Sequence, residues 1–286
     1  MKRIFPPLFA LYSAICLYAL LQQHMAATVL GRMVLCWSAS VLVMSLLFFV
    51  GKRLGRYDVV DVGWGLSIMA ISLTAFLAHD ASVLRWSPQT LTLLLVFVWG
   101  SRLAWHIAKR IRRTNREDER YVALRKNWHG SIARNTYVRI YLLQSFLALL
   151  VSVPVVHIQF AESVTWSLWV FVGCVLWMFG FAVEVIADRQ LAAFLARPHA
   201  TDAFCQNGLW KHARYPNYFG ELTMWWGIAV IALGTSYGWV GFGGAAVISY
   251  LIVYVSGMPP KEARLRQREN WESYKQSTRA LFPLPK

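Results

Sequence analysis

The 286-residue chain is 57% hydrophobic and 15% aromatic, with a formal net charge of +15 and a mean hydropathy of +0.42. A composition this apolar excludes an ordinary soluble core and places the chain in the multi-span membrane class. The positive charge collects in connections between apolar runs, which points to the positive-inside arrangement and to anionic lipid headgroups, and away from nucleic acid.

At the start, Lys2 and Arg3 precede an apolar run, but Pro6 and Pro7 come early and no small-residue cleavage site closes the run. A retained first span is therefore favoured over a signal peptide. Apolar runs near 4–22, 29–50, 59–78, 88–108, 137–158, 164–186, 218–235 and 238–256 each approach the roughly 20 residues that cross a bilayer. They predict an all-α, polytopic membrane helix bundle of about seven to eight transmembrane helices with amphipathic cytoplasmic segments. The chain reads as a single domain over 1–286, with scaffold spans in 1–50 and the core in 51–286. Segment 109–139 carries ten Lys or Arg, 188–214 four and 259–286 seven, while the alternate loops carry almost none. Both termini are therefore expected on the cytoplasmic side. Cys16, Cys36, Cys174 and Cys205 lack paired or metal-ligand spacing, so neither disulfide nor metal is expected. Phosphate-cradling glycine motifs of soluble nucleotide folds do not occur.

The third span opens with Asp58 and Asp61, three apart on one face and followed by Gly63 and Gly65, residues that permit close helix approach. Asp58 fits a polar boundary, whereas Asp61, one turn deeper, is a candidate to line a cavity. On the fourth span Arg102, His106 and Arg110 recur every four residues, with Arg113 beyond. Snorkelling accounts for the two outer arginines, but Arg102 lies about two turns inside and calls for an anionic partner or ligand. His106 fits either an interhelical hydrogen bond or the site. Residues 109–135 read as an amphipathic surface segment, and the fifth span, with Arg139 and Gln144, is assigned no chemistry.

Polar chemistry concentrates in 184–221. Glu184 and Asp188 share one face at the end of an apolar helix, and Asn217 and Glu221 repeat the spacing at the start of the next. Between them a loop carries Arg189, Arg197, Lys211, His212 and Arg214, and Pro216 is placed to open a helix. Carboxylates at the edge of spans are costly and usually partnered or functional. Two polar helix faces and a cationic loop of this kind suit a polar ligand.

The run GLWKHARYPNYFGE, the preceding E-x-x-x-D and the closing Y-x-x-x-T-x-A-L-F-P-L resemble the C-terminal domain of the steroid 5α-reductase superfamily, and within it a bacterial branch of integral-membrane proteins. A related pattern occurs in isoprenylcysteine carboxyl methyltransferases and sterol reductases. The resemblance implies an NADPH-dependent oxidoreductase acting on CH–CH groups, similar to 3-oxo-5α-steroid 4-dehydrogenases. Such an enzyme passes hydride to an activated C=C of a steroid-like or other lipid substrate that enters from the bilayer, without an obligate protein partner. It also implies cofactor contacts at Asp188, Arg197, Asn217 and Glu221, with Arg113 and Arg264 added. Glu184 stands where reductases often carry an amide, and Arg102, His212 and Arg214 complete the cationic surroundings. Two departures stand out. Trp99 occupies the position of a carbonyl-polarising tyrosine, and an indole has no readily transferred proton, so Asp61 and His106 become the substitutes. Tyr215 stands where many relatives have histidine. The alternative is an S-adenosylmethionine-dependent methyltransferase; that cofactor has no phosphate and needs fewer arginines.

Overall fold

Thr28 opens the first described helix, α1 (Val29–Leu54), its hydroxyl accepting from the Gly31 N–H at 3.0 Å; Gly55 closes it with φ +69°, a conformation that costs glycine little. The computed structural model describes residues 28–79, 86–114, 116–162, 164–198 and 203–284, so the expected span at 4–22 lies outside the described residues. Two compact units divide the chain, residues 1–164 and 165–286.

In the first unit, α1 packs on α2 (Val60–His79) and α2 on α3 (Pro88–Arg113). Ser87 caps α3, and Pro88 sits in its first turn, where the missing N–H has no helical partner to lose. The α2–α3 contact is backbone-close: a Cβ on Gly65 would lie 2.6 Å from the Gly100 carbonyl oxygen. A short helix α4 (Glu119–Arg125) follows. Then α5 (Ile132–Thr136) runs through a π-turn at Tyr137–Leu142 into α6 (Leu143–Val151), which bends by 56° into α7 (Val153–Gln159). The bend falls at Ser152 and Pro154, where proline removes a helical hydrogen bond. Phe48 anchors the core under α4, ringed by Tyr57, Tyr137 and Tyr141.

The second unit is built on α8 (Leu168–Leu195) and α9 (Pro216–Ala232), followed by α10 (Gly241–Tyr250), a π-turn at Leu251–Val255, α11 (Met258–Leu265) and α12 (Trp271–Ser277). Gly173 and Gly180 of α8 face Gly227 and Gly220 of α9. A Cβ on Gly173 would meet the Gly227 carbonyl oxygen at 2.5 Å, and one on Gly180 the Gly220 oxygen at 2.5 Å. The pairing order makes the helices antiparallel, and small residues one heptad apart let their backbones touch. The connecting loop folds back along α8, with the Trp210 indole donating to the Ala187 carbonyl at 2.9 Å and the Leu209 N–H to Gln190 Oε1 at 3.0 Å.

The protein is thus all-helical, and the one bridge among the described residues is an isolated parallel pairing of Ala213 with Arg279. Among the described residues, five helices are long and apolar enough to cross a membrane, or six when the bent pair counts as one span. This is fewer than the seven to eight of the sequence reading, for two reasons. One expected span is outside the described residues. The run at 218–235 becomes α9, whose 17 residues reach about 25 Å at 1.5 Å per residue, short of a hydrocarbon core of about 30 Å. Long apolar helices in this number mark an integral membrane protein.

Candidate functional site

The glycine seam sets the register of the polar residues in the second unit. Because Gly220 abuts Gly180 and the backbone of Glu184, Asn217, one turn earlier on α9, comes level with Asp188, two turns further along α8. Asn217 Nδ2 donates to Asp188 Oδ1 at 3.4 Å. Glu184 is 4% exposed, and Asp188 and Glu221 are half-buried. The two sequence motifs, 29 residues apart at Asp188 and Asn217, thus meet at the end of the helix pair where the connecting loop begins. Two buried polar atoms at its edge, Asn217 Oδ1 and the Tyr215 hydroxyl, find no hydrogen-bond partner among the described residues. Buried polar atoms are rarely left so, and an ordered water, an ion or a ligand can complete them. Burial holds the Tyr215 hydroxyl above its ordinary range, with the Glu262 carboxylate adding to the shift, so the phenol stays protonated.

Arg214 has a different placement from the open cationic loop of the sequence reading. It is 7% exposed, and its Nη1 donates to the Thr278 carbonyl at 2.8 Å and to that of Lys275 at 3.3 Å; Nη2 lies 3.6 Å from Glu262. Its guanidinium lies 5.7 Å from the centre of the Trp271 ring. Together with backbone bonds from Arg214 to Arg279 and from Tyr215 to Ala280, it ties the tail to the segment that opens α9. His212 takes part through its backbone, its carbonyl accepting from the Arg279 N–H at 3.0 Å. Arg197 and Arg264 are exposed, as contacts to a solvent-entering phosphate require.

In the first unit, Asp61 is a hub. Its carboxylate accepts from Arg120 Nη2 at 3.1 Å, from Arg110 Nη2 at 3.3 Å and from the Tyr121 hydroxyl, and Gln144 Nε2 donates to the same hydroxyl at 3.5 Å. Burial and the Asp61 carboxylate both push the Tyr121 phenol well above its ordinary range. Beside it, Arg56 makes a two-pronged contact with Asp58 at 2.8 and 2.7 Å, Asp58 Oδ2 accepts the Asp118 N–H at 3.0 Å, and Arg125 pairs with Glu117. Burial alone would raise the Asp58 carboxyl, but the hydrogen bonds from Arg56 and Asp118 outweigh it and hold it below the usual range. The segment read as an amphipathic surface stretch is therefore latched onto the start of α2. Trp99 is buried at 2% exposure next to the Gly65–Gly100 contact, Arg102 is half-buried, and His106 and Arg113 are exposed. On the cationic ladder, Arg110 reaches Asp61 at 3.3 Å. Arg120 and Tyr121 were missed because their partner, Asp61, lies 59 and 60 residues away in sequence, and Gln144 because it joins the group through the Tyr121 hydroxyl, 23 residues before it.

A helical membrane protein with a polar cluster at the head of a tightly packed helix pair is the class these features define. The chain belongs to the family described as "Protein of unknown function (DUF1295)", which residues 47–278 match. It is also 30% identical over 125 residues to "Steroid 5-alpha-reductase DET2" of Gossypium hirsutum, a match covering 43% of this chain and 44% of that relative. The chain thus spans less than half the length of the curated relative it matches. No solved structure matches the chain. Both findings agree with the superfamily to which the sequence motifs point.

Proposed function

We propose that the protein is a membrane-embedded, NADPH-dependent reductase that delivers hydride to an activated C=C of an apolar, steroid-like or other lipid substrate. The observation that carries this reading is the Asp188–Asn217 contact, with buried, unpartnered polar atoms on Tyr215 and Asn217, set at the head of the α8–α9 pair. The donor set fits a dinucleotide: carboxylates suit ribose hydroxyls, an amide and a phenol suit an uncharged polar ring substituent, and the exposed Arg197 and Arg264 suit phosphates in charge-assisted contacts.

Bound NADPH would supply the hydride at its nicotinamide ring. Asp188 and Asn217 hold one another and fix the donor and acceptor directions at the head of α9. The Arg214 clamp keeps the tail against that head, and the apolar faces of α8 and α9 exclude water, which a hydride donor requires. The basic segments, and with them the cofactor residues, face the cytoplasm in this reading, with the substrate arriving from the bilayer.

The test is thermal stabilisation of the detergent-purified protein by NADPH, NADH and S-adenosylmethionine in parallel. A ligand of the folded state at one hundred times its Kd adds about 2.7 kcal/mol. Selective stabilisation by NADPH is expected; stabilisation by S-adenosylmethionine alone would replace the reductase with the methyltransferase.

A further inference from the structure

The outer face of α3 passes from apolar to cationic along one line. Leu94, Val98, Ser101, Trp105, Lys109 and Arg112 follow one another at steps of three or four residues, so they share one face of the helix. All six are exposed, Leu94 at 47%, Val98 at 49% and Trp105 at 64%. From Leu94 to Trp105 the helix rises about 16 Å, close to half of a hydrocarbon core of about 30 Å. Lys109 stands about 6 Å further on, within the headgroup layer that borders the hydrocarbon. The line thus has the dimensions of one leaflet: aliphatic side chains, then an aromatic ring of the kind that settles at the interface, then two positive charges.

Cations in the last turn of a helix ordinarily answer its free carbonyls, but in α3 that work falls to other groups. Arg56 Nη1 donates to the carbonyls of Ile111 at 3.1 Å and Thr114 at 2.7 Å, and the Thr114 N–H and hydroxyl donate to the Arg110 carbonyl at 3.2 and 2.9 Å. Neighbouring carboxylates are engaged as well, Asp58 by Arg56 and Asp61 by Arg110 and Arg120. The side chains of Lys109 and Arg112 have no ion pair or hydrogen bond among the described residues. We infer that this face of α3 holds one anionic phospholipid of the surrounding bilayer, with an acyl chain along Leu94 and Val98, the glycerol esters beside Trp105 and the phosphodiester between Lys109 and Arg112. The two cations are separated by about 4.5 Å of helical rise, so one phosphate reaches both in charge-assisted contacts. A lipid fits better than a soluble anion because the charges continue an exposed apolar face of leaflet length. The site stands apart from the proposed reductase chemistry.

The experiment counts ligand on the detergent-purified, delipidated full chain by native mass spectrometry during titration with dioleoyl phosphatidylglycerol, dioleoyl phosphatidylcholine or inorganic phosphate. The parent is expected to bind phosphatidylglycerol about tenfold more tightly than phosphatidylcholine, and inorganic phosphate is expected not to displace it. In Lys109→Gln/Arg112→Gln the first phosphatidylglycerol is held about thirtyfold more weakly, the effect of two cations lost beside an anionic headgroup, while phosphatidylcholine binds as before. Lys126→Gln/Arg134→Gln removes the same charge from two other exposed positions and leaves both affinities at the parental values. Trp105→Ala weakens both lipids by a similar factor. Melting temperatures without lipid stay level across the double variants, because the altered side chains are exposed. Equal affinity of the parent for the two lipids would overturn the site, and equal losses in the two double variants would trace binding to net charge alone and overturn it too. Displacement of phosphatidylglycerol by inorganic phosphate would replace the lipid with a soluble anion.

Discussion

Gly220→Ala probes the seam that brings the two polar motifs together. The added Cβ would lie 2.5 Å from the Gly180 carbonyl oxygen, 2.7 Å from the Glu184 nitrogen and 2.9 Å from the Glu184 Cβ. Two of these are backbone atoms of the facing helix, so no side-chain rotation relieves the clash. Ordinary contact begins near 3.4 Å, and 3.4 less 2.5 leaves a separation of 0.9 Å for α8 and α9 to make. Overpacking of this kind costs about 1–3 kcal/mol, against roughly 1 kcal/mol gained from the better helix propensity of alanine. With backbone obstacles the strain falls at the upper end, for a net loss of about 1–2 kcal/mol. The same separation carries the Asn217–Asp188 contact, already at 3.4 Å, beyond hydrogen-bonding range. Thermal unfolding in detergent and NADP⁺ titration read the two effects, both expected to worsen. Gly243→Ala is the control: nothing lies within 4 Å of its Cβ position, so only the propensity gain remains and stability should rise slightly. A Gly220→Ala protein as stable as the parent, binding cofactor equally well, would refute the seam as the device that aligns the site.

Further outcomes follow from the latch and the clamp. Asp58 and Asp118 have carboxyls held below their ordinary values by Arg56 and Arg120 respectively, against burial that works the other way. A depressed folded value means that this stabilisation is complete above the unfolded value of about pH 4 and is lost as pH falls through the lower folded one. Acid unfolding monitored by circular dichroism should therefore lose part of its pH dependence in Asp58→Asn; an unaltered acid limb would contradict the latch. Tyr121→Phe strips Asp61 of one donor and should destabilise by about 1–3 kcal/mol, measured by the same melts. Arg214→Ala leaves the Thr278 carbonyl and Glu262 without their guanidinium, at a cost of about 3 kcal/mol, and should expose residues beyond 257 to limited proteolysis; a tail equally protected in the variant would deny the clamp its role.

Much of the fold was legible because hydropathy reports span-length helices directly: α1, α2, α3 and α8 lie where the apolar runs place them. The pairing of Asp188 with Asn217 was half legible, since the four-residue spacing puts each motif on a helix face but does not say that the faces meet. What decides it is glycine spacing across two helices, and in an apolar run glycine adds nothing to hydropathy. Charge was read least well. Arg214 and Asp61 look alike as ionisable residues near span ends, yet one is enclosed by the tail and the other by α4, through partners some 60 residues distant. The tail breaks between Leu265 and Trp271 into α11 and α12, and Trp271 and Tyr274 are buried, a turn that its charge pattern does not announce.

The pairing of residues 212–215 with 279–280 also bears on the order in which the protein is made. While α9 is being inserted, the Arg214 guanidinium and the backbone groups that precede Pro216 have none of their tail partners, because those lie about sixty residues later in synthesis. The head of α9 therefore acquires its final shape after the last described span has entered the bilayer. A chain that ends before the tail lacks the Thr278 and Lys275 carbonyls and the Glu262 carboxylate that enclose this arginine.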